Sequence, residues 1–452
     1  MKIAITGCGK VGTTLAGKLS KEKYDVIVID KEEKKLQYVN DTMDVLCICG
    51  DAASADTLLS ANIGTCDLFI AMTNSDETNI LSCHLAKRLG VERTIARVRN
   101  PQLARTVELI KSDTGISMSI NPDLDAAKVI YRALRFRNAE QVETFAKGMT
   151  EVITFVVKDD SPICNTRISD LQNKTKTKVF ACGIKRNGEV FIPNGDTVIM
   201  AGDTMSFVAS GKDSYTFFKK IGYDPGSVKN LTIIGGGRLG YFVGKLAVEN
   251  GIPVTIIDKN EEVCNSLSNR LPSADILCGD AMDTNFLEEE DILNSAAVAT
   301  LTGNDPVNVM VSMFVHKNSP DSKVITKIKS SDFEEMLFNL DVGIIVNPKY
   351  IAADNVLRYV KAIENVLAEE TQSMCHIMDN KVAVMEFLLS STAVNTGIKL
   401  KDLKFKKNIM ITQIIRGGRP FIPGGNDTME VGDVVLVVTT QESITCFADI
   451  FA

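Results

Sequence analysis

The residues best suited to chemistry lie near the start of the chain, in a turn with the glycine spacing G-x-G-x-x-G. In such a turn the first glycine permits a sharp bend, the second lets the backbone approach a phosphate, and the third lets the next helix pack closely. The helix that follows directs its partially positive N-terminus at the anion. We therefore predict that the turn binds a pyrophosphate group. Its six residues are Gly7, Cys8, Gly9, Lys10, Val11 and Gly12.

Polar residues that directly follow apolar runs are expected to face the same ligand. Asp30 closes the run 26–29, about 20 residues beyond the turn, where a carboxylate can accept hydrogen bonds from ribose hydroxyls. Asp51 and Ala52 follow the next run, and we predict that they line an adenine pocket. These positions together describe a site for a dinucleotide or a related adenine nucleotide.

Three further positions are expected to contact the ligand or to shape its pocket. Thr73 and Asn74 are predicted to meet the ribose or a phosphate, and Arg97 either pairs with phosphate or makes the surrounding loops rigid. For Asn74 a second interpretation stays open, because Asn74 and Glu77 have the spacing of a helix capping box.

The same pattern occurs a second time in the chain. A displacement of 228 residues relates Gly7 to Gly235 and Asp30 to Asp258, and similar matches continue beyond the glycines. We therefore interpret the chain as a tandem duplication with a nucleotide-binding unit in each half. The candidate residues of the second half are Gly235, Gly237, Arg238, Leu239, Gly240, Asp258, Asp280, Thr302 and Lys327.

Alternating apolar runs and helical segments must position these residues. This alternation predicts a parallel, doubly wound sheet, and ligands on such sheets bind over the carboxyl ends of the strands. In the first half the predicted strands are 2–6, 26–29, 45–49, 68–72 and 94–98.

The predicted fold class is α/β, with a tandem duplication of a Rossmann-like doubly wound parallel-sheet domain, each copy followed by a small α+β (β-rich) domain. A crossover helix joins the two domains of each half, and its apolar stripe packs either on a neighbouring subunit or within its own domain. The predicted boundaries are 1–122 and 228–348 for the nucleotide-binding domains, 123–139 and 349–367 for the crossover helices, and 140–224 and 368–452 for the β-rich domains.

Composition narrows the function classes. A net charge of −7 argues against nucleic acid as the main partner, and the chain has no apolar run long enough to span a bilayer, so we expect a cytoplasmic protein. The 11 cysteines include no C-x-x-C pair, and the three histidines lack ligand spacing, so no metal site is predicted. Cys8 is interpreted as a small filler residue, with redox sensing as the alternative.

This arrangement, present twice, resembles the TrkA proteins, the cytoplasmic regulatory subunits of Trk potassium transporters. The most specific stretches are 73–79, 95–99 and Gly195-Asp196-Thr197, and the resemblance covers essentially the whole chain. It implies regulator-of-potassium-conductance (RCK) domains that bind NAD(H), or alternatively ATP or ADP. It also implies a homo-oligomeric ring, for which we expect a tetramer. The implied partner is a TrkH/TrkG-like potassium-translocating membrane subunit, which would hold the protein at the inner face of the membrane.

The second half departs from the first at the site. Gly303 replaces Asn74 and Lys327 replaces Arg97, and lysine is a poorer match for a planar bidentate contact. We expect the second pocket to persist with altered affinity or ligand choice. The alternative function is an NAD-dependent oxidoreductase with a duplicated Rossmann domain, but no histidine recurs at equivalent positions to act as its acid or base.

Overall fold

The computed structural model describes residues 1–136, 138–223, 228–330, 340–365, 371–378, 381–391, 393–441, 444 and 446–452. Within these residues the chain forms two parallel six-stranded sheets and two antiparallel five-stranded sheets. Each parallel sheet is followed in the chain by an antiparallel one. This confirms the predicted fold class, a duplicated Rossmann-like domain with a β-rich domain after each copy.

The first parallel sheet has the strand order β3-β2-β1-β4-β5-β6. The order reverses between β1 and β4, which is where such sheets open a ligand crevice. The strands are β1 (Lys2–Thr6), β2 (Asp25–Asp30), β3 (Leu46–Cys49), β4 (Leu68–Ala71), β5 (Arg93–Arg97) and β6 (Met118–Ile120). The helices are α1 (Lys10–Lys21), α2 (Glu33–Thr42), α3 (Ala55–Ser60), α4 (Asp76–Arg88), α5 (Pro101–Leu109) and α6 (Lys111–Thr114).

The first crossover helix, α7 (Pro122–Arg135), is shorter than predicted. It begins after Asn121, whose side chain accepts a hydrogen bond from the Leu124 amide at 3.2 Å. It ends before the predicted limit of 139 because Phe136 has an extended backbone, with φ −125° and ψ 101°. The chain then enters the first strand of the β-rich domain.

The first β-rich domain is an antiparallel sheet with the order β10-β9-β11-β8-β7. Its first strand, β7, was not predicted, because a register shift between Ala139 and Gln141 breaks the alternation of buried and exposed residues. The elements are β7 (Ala139–Phe145), β8 (Thr150–Val156), α8 (Ile168–Thr175), β9 (Val179–Arg186), β10 (Glu189–Phe191), β11 (Thr204–Ala209) and α9 (Gly211–Lys220).

The second half repeats this plan, with the parallel order β14-β13-β12-β15-β16-β17. Its nucleotide-binding domain contains β12 (Leu231–Ile234), α10 (Arg238–Glu249), β13 (Val254–Asp258), α11 (Glu261–Arg270), β14 (Asp275–Cys278), α12 (Thr284–Glu289), β15 (Ala297–Thr300), α13 (Asp305–Asn318), β16 (Lys323–Lys327) and β17 (Ile344–Val346). The crossover helix is α14 (Pro348–Asn365), and the β-rich domain contains β18 (Thr371–Ile377), β19 (Val382–Leu388), β20 (Ile409–Arg416), β21 (Arg419–Phe421) and β22 (Val434–Thr439). Short 3-10 helices lie at Ile63–Thr65, Ala146–Gly148, Ile292–Asn294, Leu400–Asp402 and Phe447–Ile450. The predicted boundaries at 224, 367 and 368 lie outside the described residues.

Each crossover helix packs on the nucleotide-binding domain of the opposite half. The apolar stripe of α7, including Ile130 and Leu134, is fully buried in a cluster with Val243 on α10. The stripe of α14, including Val356, is buried against Leu15 on α1. Neither predicted alternative was right, because an apolar stripe shows that a helix face is buried but not which surface covers it. The exchange ties the two halves into one unit.

The two β-rich domains also contact each other. Phe145 and Cys182 of the first share an apolar cluster with Val384 of the second, and the Glu386 carboxylate accepts a hydrogen bond from the Ala146 amide at 3.0 Å.

In the described parts of the chain, every helix is too short or too polar to cross a membrane.

Candidate functional site

Steric necessity fixes the glycines of both turns. Gly7 and Gly235 have φ values of +94° and +108°, which favour glycine, and a Cβ on either would meet backbone atoms of the next loop within 3 Å. A Cβ on Gly12 would collide with the Gly7 carbonyl oxygen, and Gly240 stands in the same relation to Gly235. These glycines therefore let each helix start directly beneath the turn.

The middle glycine of each turn leaves open space. Among the described atoms, nothing lies within 4 Å of where a Cβ on Gly9 or Gly237 would stand. These two residues are the N-caps of α1 and α10, and neither helix receives a side-chain cap from the described residues. The first amides of α1 and α10 are thus arranged for an anion to accept their hydrogen bonds.

An aspartate at the end of the second strand holds each turn. The Asp30 carboxylate accepts hydrogen bonds from the amides of Cys8, at 2.5 Å, and Glu32, at 2.9 Å. Asp258 repeats this with Gly236, at 2.7 Å, and with the amide two residues further on, at 2.9 Å. A carboxylate has about four acceptor positions, so both acids keep capacity for ribose hydroxyls.

Cys8 is a buried residue of the first turn. Burial, and to a lesser degree the nearby Asp30 carboxylate, raises the pKa of the Cys8 thiol to about 12. The thiol therefore stays protonated near neutral pH, which favours the filler interpretation over redox sensing.

Asn79 and Asn308, for which no role was predicted, organise the loops above the sheets. The fully buried Asn79 side chain accepts hydrogen bonds from the Thr73 amide and hydroxyl, at 2.8 and 2.7 Å, and donates to the Arg97 carbonyl at 2.9 Å. Asn308 makes the corresponding bonds to Thr302, at 3.0 and 2.7 Å, and to the Lys327 carbonyl at 2.9 Å. Their recurrence at equivalent positions in both halves was the available signal.

Asp76 and Asp305, which occupy equivalent positions in the two halves, also had no predicted role. The Asp76 carboxylate accepts hydrogen bonds from the amides of residues 99 and 100, both at 2.8 Å, and Asp305 does so from residues 329 and 330 at 2.9 and 3.0 Å. Helix α4 begins at Asp76 and is capped by Ser75, whose side chain accepts a hydrogen bond from the Thr78 amide at 3.1 Å. The capping interpretation of Asn74 was therefore wrong by one residue.

Arg97 and Lys327 lie beneath these loops at equivalent positions. The Arg97 guanidinium donates to the Thr73 carbonyl and to the Asn74 side chain, and Lys327 donates to the Leu301 carbonyl at 3.1 Å. Burial, helped by a nearby cation in each case, lowers the pKa of Arg97 to about 10 and that of Lys327 to about 8. Of the two predicted roles for Arg97, the contacts favour rigid loops.

A cavity of about 640 Å³, here called the shared cavity, lies over the carboxyl ends of the second sheet. This volume is typical of small-molecule sites, which span about 300–1,000 Å³. Residues of both halves line it. The predicted site residues in its wall are Lys10, Val11, Arg97, Gly235, Gly237, Arg238, Leu239, Asp258, Asp280, Thr302 and Lys327. Gly240 lies beneath the second turn.

The remaining predicted residues lie around the first turn and its sheet. They lie in the first turn or follow the carboxyl ends of β2, β3 and β4, around the switch point between β1 and β4. Doubly wound sheets bind ligands at such a point, and this place is here called the first crevice. They are Gly7, Cys8, Gly9, Gly12, Asp30, Asp51, Ala52, Thr73 and Asn74.

The shared cavity is strongly basic in a chain whose net charge is −7. Among the described residues of its wall, eight are basic and three are acidic. Asn347 also lies in the wall, buried, and neither polar atom of its side chain has a partner within the described structure. Buried amides normally have partners, so Asn347 is available to a ligand. The cavity therefore suits an anion with several charges. The basic residues are Lys10, Arg97, Arg99, Arg238, Lys259, Lys327, Lys329 and Lys349.

Metal binding has no comparable support. Among the described residues no group of three or more histidine, cysteine, aspartate or glutamate side chains is arranged to hold a metal ion.

Comparison of the sequence with known proteins identifies the family to which the chain belongs. The TrkA-N domain model matches residues 3–122 and 231–348, and the TrkA-C domain model matches residues 152–222 and 384–452. A Trk system potassium uptake protein TrkA homolog of Archaeoglobus fulgidus is 32% identical over 451 residues, covering 100% of both chains. TrkA homolog 2 of Methanosarcina mazei is 27% identical over 459 residues, again covering 100% of both.

A solved structure shares the fold. The GsuK channel bound to NAD superposes with a TM-score of 0.64 at 17% sequence identity, covering 98% of this chain and 77% of that one.

Proposed function

Since the chain belongs to the TrkA family, we propose that it is a nucleotide-sensing regulatory subunit of a potassium transport system. The observation that carries this proposal is the basic shared cavity, into which the second glycine turn and cations of both halves project. The relatives named above are potassium uptake proteins, which supports the transport system as the setting.

The proposed ligands are NAD(H) and, as alternatives, ATP or ADP. Amides at the start of α1 and α10 bind the phosphates, and Asp30 and Asp258 bind ribose hydroxyls through their remaining acceptor positions. The loop residues complete the pockets, with adenine beside Asp51-Ala52 in the first crevice and beside Asp280 in the shared cavity. Thr73 and Asn74 meet the ribose or a phosphate in the first crevice, and Thr302 takes this role in the shared cavity. The solved channel that shares the fold carries NAD, in line with the first choice.

We propose that Lys10 and Arg238 help to distinguish triphosphate ligands from diphosphates and dinucleotides. Arg238 belongs to the second turn, and Lys10 reaches the same cavity from the first. A bound ligand therefore meets a cation from each half, and a third phosphate adds charge where both are near. Charge-assisted contacts of this kind are roughly twice as strong as neutral hydrogen bonds.

The regulatory step follows from differential binding. A ligand that contacts both halves favours the arrangement in which they are close, and a coupling of about 1–3 kcal/mol suffices for a useful change in gating. We propose that copies of the chain form a ring, a tetramer, on the inner face of the cell membrane. The ring passes the change to a TrkH/TrkG-like membrane subunit.

Calorimetric titration of the purified chain with NADH, NAD, ATP and ADP tests the proposal. We expect saturable binding of at least one of these nucleotides, with a stoichiometry of one or two per chain. Injection heats no larger than the heats of dilution for all four nucleotides would contradict the proposal.

The oxidoreductase alternative requires a group beside the nicotinamide that transfers a proton. None of the three histidines is among the described residues of the cavity wall, but Lys327 is, and its pKa of about 8 suits proton transfer, so turnover has to be measured. Steady, substrate-dependent oxidation of NADH by the pure protein would favour the enzyme; we expect none.

A further inference from the structure

Lys323 is a buried lysine that touches the junction between two domains. It is the first residue of β16 in the second nucleotide-binding domain, and it is 8% exposed. Its ammonium donates hydrogen bonds to the carbonyls of Ala133, Phe136 and Ala139, at 2.6, 2.8 and 2.5 Å. Three acceptors match the three N–H groups of the ammonium.

Those three carbonyls mark one place in the first half. Ala133 is in the last turn of α7, Phe136 caps it, and Ala139 opens strand β7 of the first β-rich domain. The carbonyls at a helix C-terminus need donors and attract positive charge. Lys323 therefore supplies, from the other half of the chain, the cap at which the crossover helix passes into the β-rich domain.

The strand that carries Lys323 also reaches the shared cavity. Side chains at alternate positions of a strand lie on one face, so Lys323, Ile325 and Lys327 share a face of β16. Ile325 is fully buried in the cluster that includes the α7 stripe, and Lys327 lies in the cavity wall. One face of β16 thus touches the cavity, the crossover helix and the helix-to-strand junction over about 13 Å.

We propose that Lys323 is a positioning residue that couples the shared cavity to the first β-rich domain. A ligand that shifts Lys327 and β16 moves the Lys323 ammonium, which carries the end of α7 and the start of β7 with it. This inference rests on the proposed function, since the signal it transmits is nucleotide binding in the shared cavity.

The first half offers a matched control at the equivalent strand position. Arg93 opens β5 as Lys323 opens β16, and Arg97 ends β5 as Lys327 ends β16. The Arg93 side chain is 32% exposed and pairs with Glu92 at 3.2 Å. Arg93→Met therefore removes the same kind of charge from the same place without removing a buried cap.

Hydrogen–deuterium exchange of the full chain, read by mass spectrometry, tests the coupling. Wild type is compared with and without saturating NADH and, separately, ATP, and the same samples are titrated by calorimetry. In wild type we expect bound ligand to change the amide exchange rates in loop 301–304 and also in β7. The change in β7 should be about fivefold or more, which is the lower end of typical allosteric couplings. In Lys323→Met, ligand still binds and loop 301–304 still responds, but the β7 response is lost. Arg93→Met keeps both responses.

Several outcomes would overturn the inference. They are a full β7 response in Lys323→Met, its loss in Arg93→Met, or no β7 response in wild type with ligand bound. Should Lys323→Met not fold, Lys323→Arg, which retains donors, must keep the β7 response, and Asp258→Asn, which weakens binding in the shared cavity, must shift that response to a correspondingly higher NADH concentration. The opposite result in either variant would overturn the inference. Failure of both nucleotides to bind wild type would overturn this inference and the proposed function together, whereas binding without a β7 response would overturn this inference alone.

Discussion

Arg238 and Asp123 form an ion pair of 3.1 Å that joins the second glycine turn to the crossover helix of the first half. In the other half the residue equivalent to Asp123 is Lys349, which lies in the same cavity wall as Lys10. The two turns therefore have different electrostatic surroundings. A carboxylate partly neutralises the cation of the second turn, while that of the first turn has a lysine at the corresponding place.

This difference predicts that Lys10 contributes more to phosphate recognition than Arg238. We expect Lys10→Ala to weaken ATP binding by about tenfold or more, since hydrogen bonds to charged groups are worth about 1.5–3 kcal/mol, and to weaken ADP and NADH binding less. Calorimetry provides the three affinities. Lys245→Ala serves as the control, because Lys245 lies about two turns further along α10 than Arg238 and pairs with Glu249 at 3.8 Å. Unchanged affinities for all three ligands in Lys10→Ala would refute this role.

Asp258 is predicted to bind ribose as well as to hold the second turn. Asp258→Asn keeps the size of the side chain but loses its charge and an acceptor, so NADH binding in the shared cavity should weaken by about tenfold to a hundredfold. The matched control is Asp275→Asn, an exposed aspartate at the start of β14. Asp30→Ala should likewise weaken NADH binding in the first crevice. Full NADH affinity at both sites in the double variant would rule out the assignment.

Two glycines of the first turn should respond differently to alanine. Gly12→Ala forces a methyl group against the Gly7 carbonyl oxygen, and overpacking of this kind costs about 1–3 kcal/mol. Its thermal unfolding midpoint should fall. Gly9→Ala places its methyl group in open space, so its midpoint should stay near that of wild type while nucleotide binding in the first crevice weakens. Equal midpoints for the two variants would contradict the steric argument.

Lys327 should make nucleotide binding depend on pH. The pKa of Lys327 is lowered to about 8, mainly by burial and to a lesser degree by the nearby cations Lys329 and Arg238, against the opposing effect of Asp123 and Asp305. An anionic ligand stabilises the charged form, so binding is at full strength below pH 8 and weakens as the pH rises through 8, where it must be accompanied by proton uptake. Calorimetry in buffers of different ionisation enthalpy measures that uptake. Lys327→Arg should abolish it, and an identical pH profile in this variant would exclude Lys327 as the source.

Much of the fold could be read from local patterns. Strand β1 begins and ends at the residues predicted for it, because an apolar run directly before a glycine turn has few other interpretations. The spacing of Asp30 and Asp258 from the turns predicted that they lie beside them, and both carboxylates accept a hydrogen bond from a turn amide. Strand β6 escaped prediction because three residues are too few to show a period of two.

The relationships between distant segments could not be read in this way. The sequence shows that α7 has an apolar face, but only the folded chain shows that this face meets α10. It places Lys10 in the first turn, but not in the wall of a cavity formed mainly by the second half. Asn79 was visible as part of a recurring stretch, yet its role depends on two loops that the sheet brings together.

The exchange of α7 and α14 also bears on how such a chain arose and how it tolerates truncation. A fragment ending near residue 220 would contain α7 but lack α10, the surface that α7 covers, and its own helix α1 would lack α14. Two such fragments could form a dimer in which α7 of each fragment covers α1 of the other. This is the arrangement expected of an ancestral homodimer before its gene was duplicated and fused. Once fused, the copies were free to diverge, and one composite pocket could acquire a different charge on each side.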